Sequence, residues 1–223
     1  MTQAGINLYR CRKCGNRHLR PLLGTFNADH SEYYSDLKPV QSNFPIYPPI
    51  VKCDGCEEII ALSHDNLEMV YESEQEIPYD RTFIKVASDP GLVGYLRAVE
   101  CPSLLEALSA YPQDRMLIAR MKIYELFNDR IRGGKGSRFI EENDERIWLF
   151  NALELIREID SNDIQSESSM LLKIDVLRSI GKFDKALQLI QNARGQKYLT
   201  QKILIHFESA VISGYKGIFR FSK

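Results

Sequence analysis

From about residue 114 onward, apolar residues recur three and four positions apart. Leu117, Met121, Tyr124, Phe127 and Ile131 fall on one stripe, and Trp148, Ala152, Leu155 and Ile159 on a second. Side chains at that period share one face of an α-helix, so the pattern predicts two amphipathic helices. A third is predicted from about Asp163 to Ile180, with Met170, Ile174 and Leu177 in line and Gly181 at the C′ position, where a left-handed backbone ends a helix at least cost. A fourth follows over about Asp184 to Arg194, and a fifth runs from Thr200, as N-cap, to Ser213 before Gly214. Ahead of them, "SLLE" at Ser103 to Glu106 has the capping-box pattern and opens a short helix that Pro112 ends.

The first hundred residues read differently. Short β-branched runs such as "PIVKC", "EEIIAL" and "RTFIKV" stand between glycines, prolines and polar turns, which predicts strands and loops. The expected fold class is therefore α+β. Residues 1–100, which hold two Cys-x-x-Cys pairs, are expected to form a β-rich zinc-ribbon domain with a long loop between its knuckles, and residues 101–223 an all-α domain of helical hairpins. Within the latter, "LRSIGKFDKALQLIQNA" resembles the second half of a tetratricopeptide repeat. Gly181 stands at the inter-helix turn, Phe183 is the aromatic two residues later, and Ala186, Ile190 and Ala193 follow along helix B. The upstream half fits less well, with Met170 where the motif prefers tryptophan and Ile174 where it prefers glycine.

Cysteine spacing adds the chemistry. Four of the five cysteines form two Cys-x-x-Cys pairs, Cys11 with Cys14 and Cys53 with Cys56. Two intervening residues let one tight turn aim both sulfurs at one ion, and four thiolates complete a tetrahedral structural zinc shell. The spacer between the pairs exceeds the usual length for this pattern. A redox pair would need a strand-to-helix junction, which neither pair has. His18, His30 and His64 are alternative ligands in principle, and Cys101 reads as a spare buried thiol. A closed thiolate shell has no open position at which to activate water, so the site is expected to be a staple rather than a catalyst. It is also needed: structural zinc contributes about 10 to 16 kcal/mol against a typical domain stability of 5 to 15. Without metal the first half is expected to unfold.

Composition bounds the rest. A chain of 223 residues with 44% hydrophobic and 26% charged residues supports a packed core, and a formal net charge of −1 gives no global attraction to nucleic acid or anionic membranes. The start, "MTQAGINLYRC", lacks the pattern of a secretory signal, and no apolar run approaches a membrane span. Paired cysteines without a disulfide framework fit a reducing compartment, so a cytoplasmic location is expected.

One local basic cluster, Arg10, Arg12, Lys13, Arg17 and Arg20, surrounds the first knuckle and is a candidate nucleic-acid contact, although Asp54, Glu57 and Glu58 on the second knuckle oppose it. The stretch "DRIRGGKGSRF" looks like a phosphate cradle but fails the P-loop pattern. Glycine follows its lysine, and it joins two helices, so residues 132 to 138 are expected to form a flexible inter-helix loop. His206, beside Ile203 and Phe207, is expected to be a packing residue.

Taken together, "CRKCG", "YSDLKPV", "PPIVKCDGC", "YELFND", "LRSIGKFDKALQLI" and the basic end "GYKGIFRFSK" resemble an uncharacterised bacterial family of zinc-ribbon proteins with a tetratricopeptide-like C-terminal region. The resemblance implies one zinc held by Cys11, Cys14, Cys53 and Cys56, and Gly181, Phe183 and Ala186 at a repeat turn. It implies no activity. Glu57 departs from the pattern, where glycine is usual. The expected function is a non-enzymatic adaptor that binds a protein partner. The rivals are a specific inhibitor or immunity-type protein on the same scaffold and a nucleic-acid-associated zinc ribbon.

Overall fold

The computed structural model describes residues 3–24, 32–40, 50–62, 64–78, 83–85, 113–132, 136–162, 166–194 and 201–221. The helix expected at Ser103 to Glu106, Cys101, His30 and Thr200 lie outside these residues. The chain forms small, mainly antiparallel sheets followed by helices, in keeping with an α+β class. It divides into two compact units. Residues 1–30 and 42–110 make the first, and 31–41 and 111–223 make the second. The expected division fell near residue 100 and left 31–41 with the first half, whereas this segment belongs to the helical unit.

In the first unit, β1 (Gln3–Arg10) and β2 (Arg17–Leu23) form an antiparallel hairpin with Arg10 opposite Arg17. On the outer side of β1 runs β7 (Leu67–Tyr71), antiparallel, and on the outer side of β2 runs β8 (Phe83–Lys85), parallel, giving the order β7-β1-β2-β8. A second hairpin, β5 (Ile50–Lys52) and β6 (Ile59–Ala61), sets Lys52 opposite Ile59. Alternation along the strands sorts side chains into two small cores. Ile6, Leu8, Leu19 and Tyr71 pack together with Ile77. Tyr9, Cys11, Cys53, Ile60 and Leu62 pack with Val51, Cys56 and Leu67.

The second unit contains α1 (Gln113–Arg132), α2 (Asp144–Ser161), α3 (Glu167–Ser179), α4 (Phe183–Ala193) and α5 (Gln201–Ile212). Ser166 caps α3, its hydroxyl accepting from the Ser169 amide at 3.1 Å. Gly181, with φ of 78°, turns the chain from α3 into α4. The apolar stripes read from the sequence meet in the core: Ile174, Leu177, Ala186, Ile190, Ala193 and Phe207 are buried together, and Trp148, Ala152, Leu155 and Ile159 are buried along α2. The residues of α1 from Ile123 to Asn128 are buried on every side, which a helix with a single apolar stripe would not show.

The segment 31–41 explains that burial. Its two short strands, β3 (Glu32–Tyr33) and β4 (Pro39–Val40), form a small hairpin. Between them, Asp36 receives two bonds from Arg132, at 2.8 and 2.6 Å, and one from Asn128 at 2.9 Å, while Lys38 reaches Asp129 at 2.7 Å. Ser35 donates its amide to the Phe219 carbonyl and Phe221 donates to Tyr33, so the C-terminal stretch is laced to the same segment. Beneath lies a buried polar group: Tyr124 donates to Asp175 at 2.7 Å, and Arg178, fully buried, donates to Asp175 at 2.6 Å and to Ser35 at 3.3 Å. Burial and the neighbouring Asp175 hold the Tyr124 phenol well above its usual range, so it remains a donor.

The stretch between α1 and α2 departs from the expected flexible loop at its described end. Arg138 is buried, with its guanidinium 4.6 Å from the centre of the Trp148 ring. The carboxylate of Asp144 then gathers the amides of Ile140 and Glu141, at 2.7 and 2.8 Å, and Arg130 into one cap before α2. Among the described residues no helix is long and apolar enough to cross a membrane.

Candidate metal centre

Each Cys-x-x-Cys pair occupies the tip of a hairpin, and the two tips are built alike. In the first, the Gly15 amide donates to the Cys11 carbonyl at 2.9 Å and the Cys11 amide to the Asn16 carbonyl at 2.7 Å. In the second, the Glu57 amide donates to the Cys53 carbonyl and the Cys53 amide to the Glu58 carbonyl, both at 2.7 Å. Gly15 has φ of 81° and Glu57 of 58°. Both therefore adopt the left-handed conformation, which glycine takes freely and glutamate takes at a cost.

These tips bring four sulfurs together. The ligand atoms of Cys11, Cys14, Cys53 and Cys56 all lie within 4.8 Å of one another, with Cys11 to Cys56 at 3.7 Å and Cys14 to Cys53 at 3.5 Å. A tetrahedral thiolate site with metal–sulfur bonds of about 2.3 Å has edges of about 3.8 Å, so the group can hold one metal ion. The turns also supply backbone donors to sulfur: the Asn16 amide to Cys14, the Gly55 and Cys56 amides to Cys53, and the Glu58 amide to Cys56. Such donors stabilise thiolate, the form that binds metal. Their effect is plain at exposed Cys14, whose thiol the Asn16 amide, helped by the other three cysteines, brings down to about 7. At buried Cys53 desolvation wins instead and pushes the thiol up to about 12. Lys13, hydrogen-bonded to Glu58 at 2.5 Å, has its pKa raised by that contact and, more weakly, by Cys56 and Cys11. Its charge therefore persists beside the sulfurs.

Two participants were not evident from the cysteine spacing. A Cβ on Gly55 would stand 2.1 Å from the Asn16 side-chain amide, so the smallest residue occupies the point where the second tip approaches the first. Asn16 closes the first turn with its own carbonyl. The x-Gly-Cys arrangement in "CDGC" was the only hint of the close approach. His18 stands apart from the sulfur group on β2, buried, and burial lowers its pKa; His64 is exposed at the start of a short 3-10 turn.

The five basic residues are placed around this tip but do not form one free patch. Arg10, Arg12 and Lys13 are exposed, whereas Arg17 and Arg20 are half-buried. Arg17 makes a bidentate pair with Glu68 at 3.1 and 2.9 Å, Lys13 is held by Glu58, and Arg12 donates to the Asp65 carbonyl at 3.0 Å. At least three of the five cations are thus engaged within the unit. His206 is half-buried on α5 with its ring 6.0 Å from that of Phe221, a packing contact.

No protein-family model matches the chain, and no curated protein and no solved structure matches it.

Proposed function

We propose that the four thiolates bind one structural zinc ion and that the protein is a non-enzymatic, cytoplasmic adaptor built from a zinc ribbon and a tetratricopeptide-like helical unit. The observation that carries the metal reading is the convergence of two equivalent hairpin tips on one tetrahedral-sized group of sulfurs. Thiolate donors of this number and geometry select zinc among the common cellular divalent ions. A four-thiolate shell leaves no coordination position for water or substrate, which argues for a fold-stabilising ion and against hydrolytic metal chemistry. The cytoplasm keeps such thiols reduced and available to metal.

The adaptor reading rests on the helical unit. On α2, Leu149, Phe150 and Leu153 are exposed, Phe150 at 56%, and Ile118 on α1 is exposed as well. Apolar side chains at i, i+1 and i+4 of one helix, with the opposite face committed to the core, offer a surface to a protein segment. An inhibitor or immunity-type role would use the same surface on a single target. A nucleic-acid role draws less support, because Lys13 and Arg17 are paired with carboxylates.

The test is affinity capture by the zinc-loaded chain and by a Phe150→Glu, Leu153→Glu variant, with captured material identified by mass spectrometry and with one zinc per chain verified in both. A protein retained by the parent and lost by the variant is the expected result. Capture of nucleic acid that disappears with added salt, and no variant-sensitive protein, would sink the adaptor reading.

A further inference from the structure

Among the described residues of the helical unit, four cations are buried: Lys38, Arg120, Arg138 and Arg178. A buried charge is costly unless it is paired. Lys38 meets Asp129 at 2.7 Å, Arg178 meets Asp175 at 2.6 Å, and Arg120 lies 3.8 and 3.9 Å from Glu154 and Glu158. Arg138 meets no carboxylate among the described residues. Only 8% of it is exposed, its one hydrogen bond is a long one of 3.5 Å to the Lys216 carbonyl, and its Nε is buried without an acceptor.

The surroundings leave this charge uncompensated. Its guanidinium lies 4.6 Å from the centre of the Trp148 ring, whose face attracts a cation but takes no pair of directed N–H bonds. The Trp148 indole N–H is itself buried without an acceptor. Burial lowers the Arg138 pKa; Asp175 and Asp36 pull the other way through space, and Arg178 adds to the fall. Both carboxylates are already engaged, Asp175 by Arg178 and Asp36 by Arg132. The backbone nevertheless holds Arg138 in place: its carbonyl accepts from Arg130 at 3.1 Å, and the Ser137 hydroxyl accepts from the Phe139 amide at 3.1 Å. There is room beside it. Gly136 is exposed, and a side chain there would meet nothing within 4 Å. Lys216, also exposed, has no ion-pair partner among the described residues.

We propose that Arg138 anchors a binding site for a small oxyanion of the phosphate class, between the stretch that leads into α2 and residues 215–217 after α5. A buried guanidinium without a carboxylate stands beside an indole N–H without an acceptor, so this part of the unit holds donors and positive charge in excess. The planar fork of a guanidinium matches two oxygens of such an anion, which supplies both the missing charge and the missing acceptors. With 8% of Arg138 exposed, only the edge of a small anion reaches it, which excludes a polymer backbone. A dianion is favoured over a carboxylate or chloride because it answers two cations, Arg138 and Lys216. The site needs no P-loop geometry, and it depends neither on the metal nor on a protein partner of the helical unit.

Trp148 is the only tryptophan of the chain, so its fluorescence reports on the ring that the guanidinium covers. The full zinc-loaded chain is titrated with inorganic phosphate at constant ionic strength, with chloride and acetate as parallel titrants. A saturable change with phosphate, half complete at about 1 mM or below and much weaker with the other two, is expected. Arg138→Gln should raise the phosphate midpoint by about tenfold or more while circular dichroism and zinc content stay unchanged. Phosphate should also raise the melting temperature of the parent and not that of Arg138→Gln. Lys216→Glu, at an exposed position, keeps the test decisive if Arg138→Gln fails to fold. It reverses the second charge and should raise the midpoint by about threefold or more. Absence of a saturable change, an equal response to chloride or acetate, or a midpoint that either variant leaves where the parent has it would each overturn the proposal.

Discussion

Glu57 shows how a single residue departs from what its position prefers. The two hairpin tips superpose in their hydrogen bonding, yet one places glycine at the left-handed position and the other places glutamate, with only a 3.8 Å contact to Lys52 in return. That contact is largely exposed and contributes little. Glu57→Gly is therefore expected to stabilise the metal-loaded first unit by about 1 kcal/mol, read as a higher melting temperature and slower metal loss to a chelator. A lower melting temperature would mean that the glutamate side chain has a role beyond that contact. Asp144 gives a second residue-scale expectation. Burial alone would raise its pKa, but the amides of Glu141 and Ile140 and the Arg130 guanidinium outweigh burial and lower it. A depressed carboxylate contributes stability that is present above its unfolded value of about 3.9 and is lost as pH falls through the folded value. The gap in melting temperature between the parent and Asp144→Asn should thus be widest above about pH 4 and close on further acidification. A gap that stays constant through that range would assign the effect to shape rather than charge.

At the scale of elements, what was legible in the sequence divides by range. Helical stripes such as Trp148, Ala152, Leu155 and Ile159 are local patterns, and the structure buries them as a period of three and four requires. The cysteine pairs are also local, and their small spacing carries the knuckle geometry. The segment around Asp36 is the opposite case. "YSDLKPV" contains no periodic signal, and its partners lie 91 residues away at Asp129, 96 at Arg132 and 143 at Arg178. Nothing near a carboxylate in the chain announces which distant guanidinium it will meet, so the segment was read with the wrong half. Its energetics are not those of an ordinary surface loop. Burial pushes Asp36 upward against the pull of Arg132, so its charge is held at a cost. Removing it still leaves Arg132, with only 7% of its side chain exposed, short of one of its two carboxylates. Asp36→Ala is expected to destabilise the helical unit by about 3 kcal/mol in urea unfolding followed by helical circular dichroism, with metal content unchanged. Ala186, fully buried in the first turn of α4, offers a contrasting case. Ala186→Trp should overpack that hairpin by about 1 to 3 kcal/mol and leave the metal bound. A wild-type midpoint for Asp36→Ala would show that the segment is a passive cover.

For the whole molecule, the two units draw on different sources of stability. In the first, two of the four clustered cysteines, Cys11 and Cys53, are themselves core residues packed with Tyr9, Ile60 and Leu62, so the candidate metal site and the apolar contacts occupy one small cluster. Without metal, four thiols at these distances keep only weak sulfur contacts, and the cluster is too small to hold the hairpins on its own. The second unit buries Ile174, Leu177, Ile190, Leu204 and Phe207 in one continuous core and anchors the 31–41 segment through its own ion pairs, none of which involves a thiolate. Chelation, or Cys53→Ser, is therefore expected to abolish the strand signal of the first unit while most of the helical signal persists and melts separately at a temperature close to that of the metal-loaded chain. Far-ultraviolet circular dichroism with zinc measured in parallel reads both events. A single cooperative loss of strands and helices on metal removal would show that the 31–41 segment, whose chain enters and leaves the first unit, transmits unfolding from one unit to the other. In that case Asp36→Ala should uncouple them, and the helices of that variant should outlast the metal even though they begin less stable.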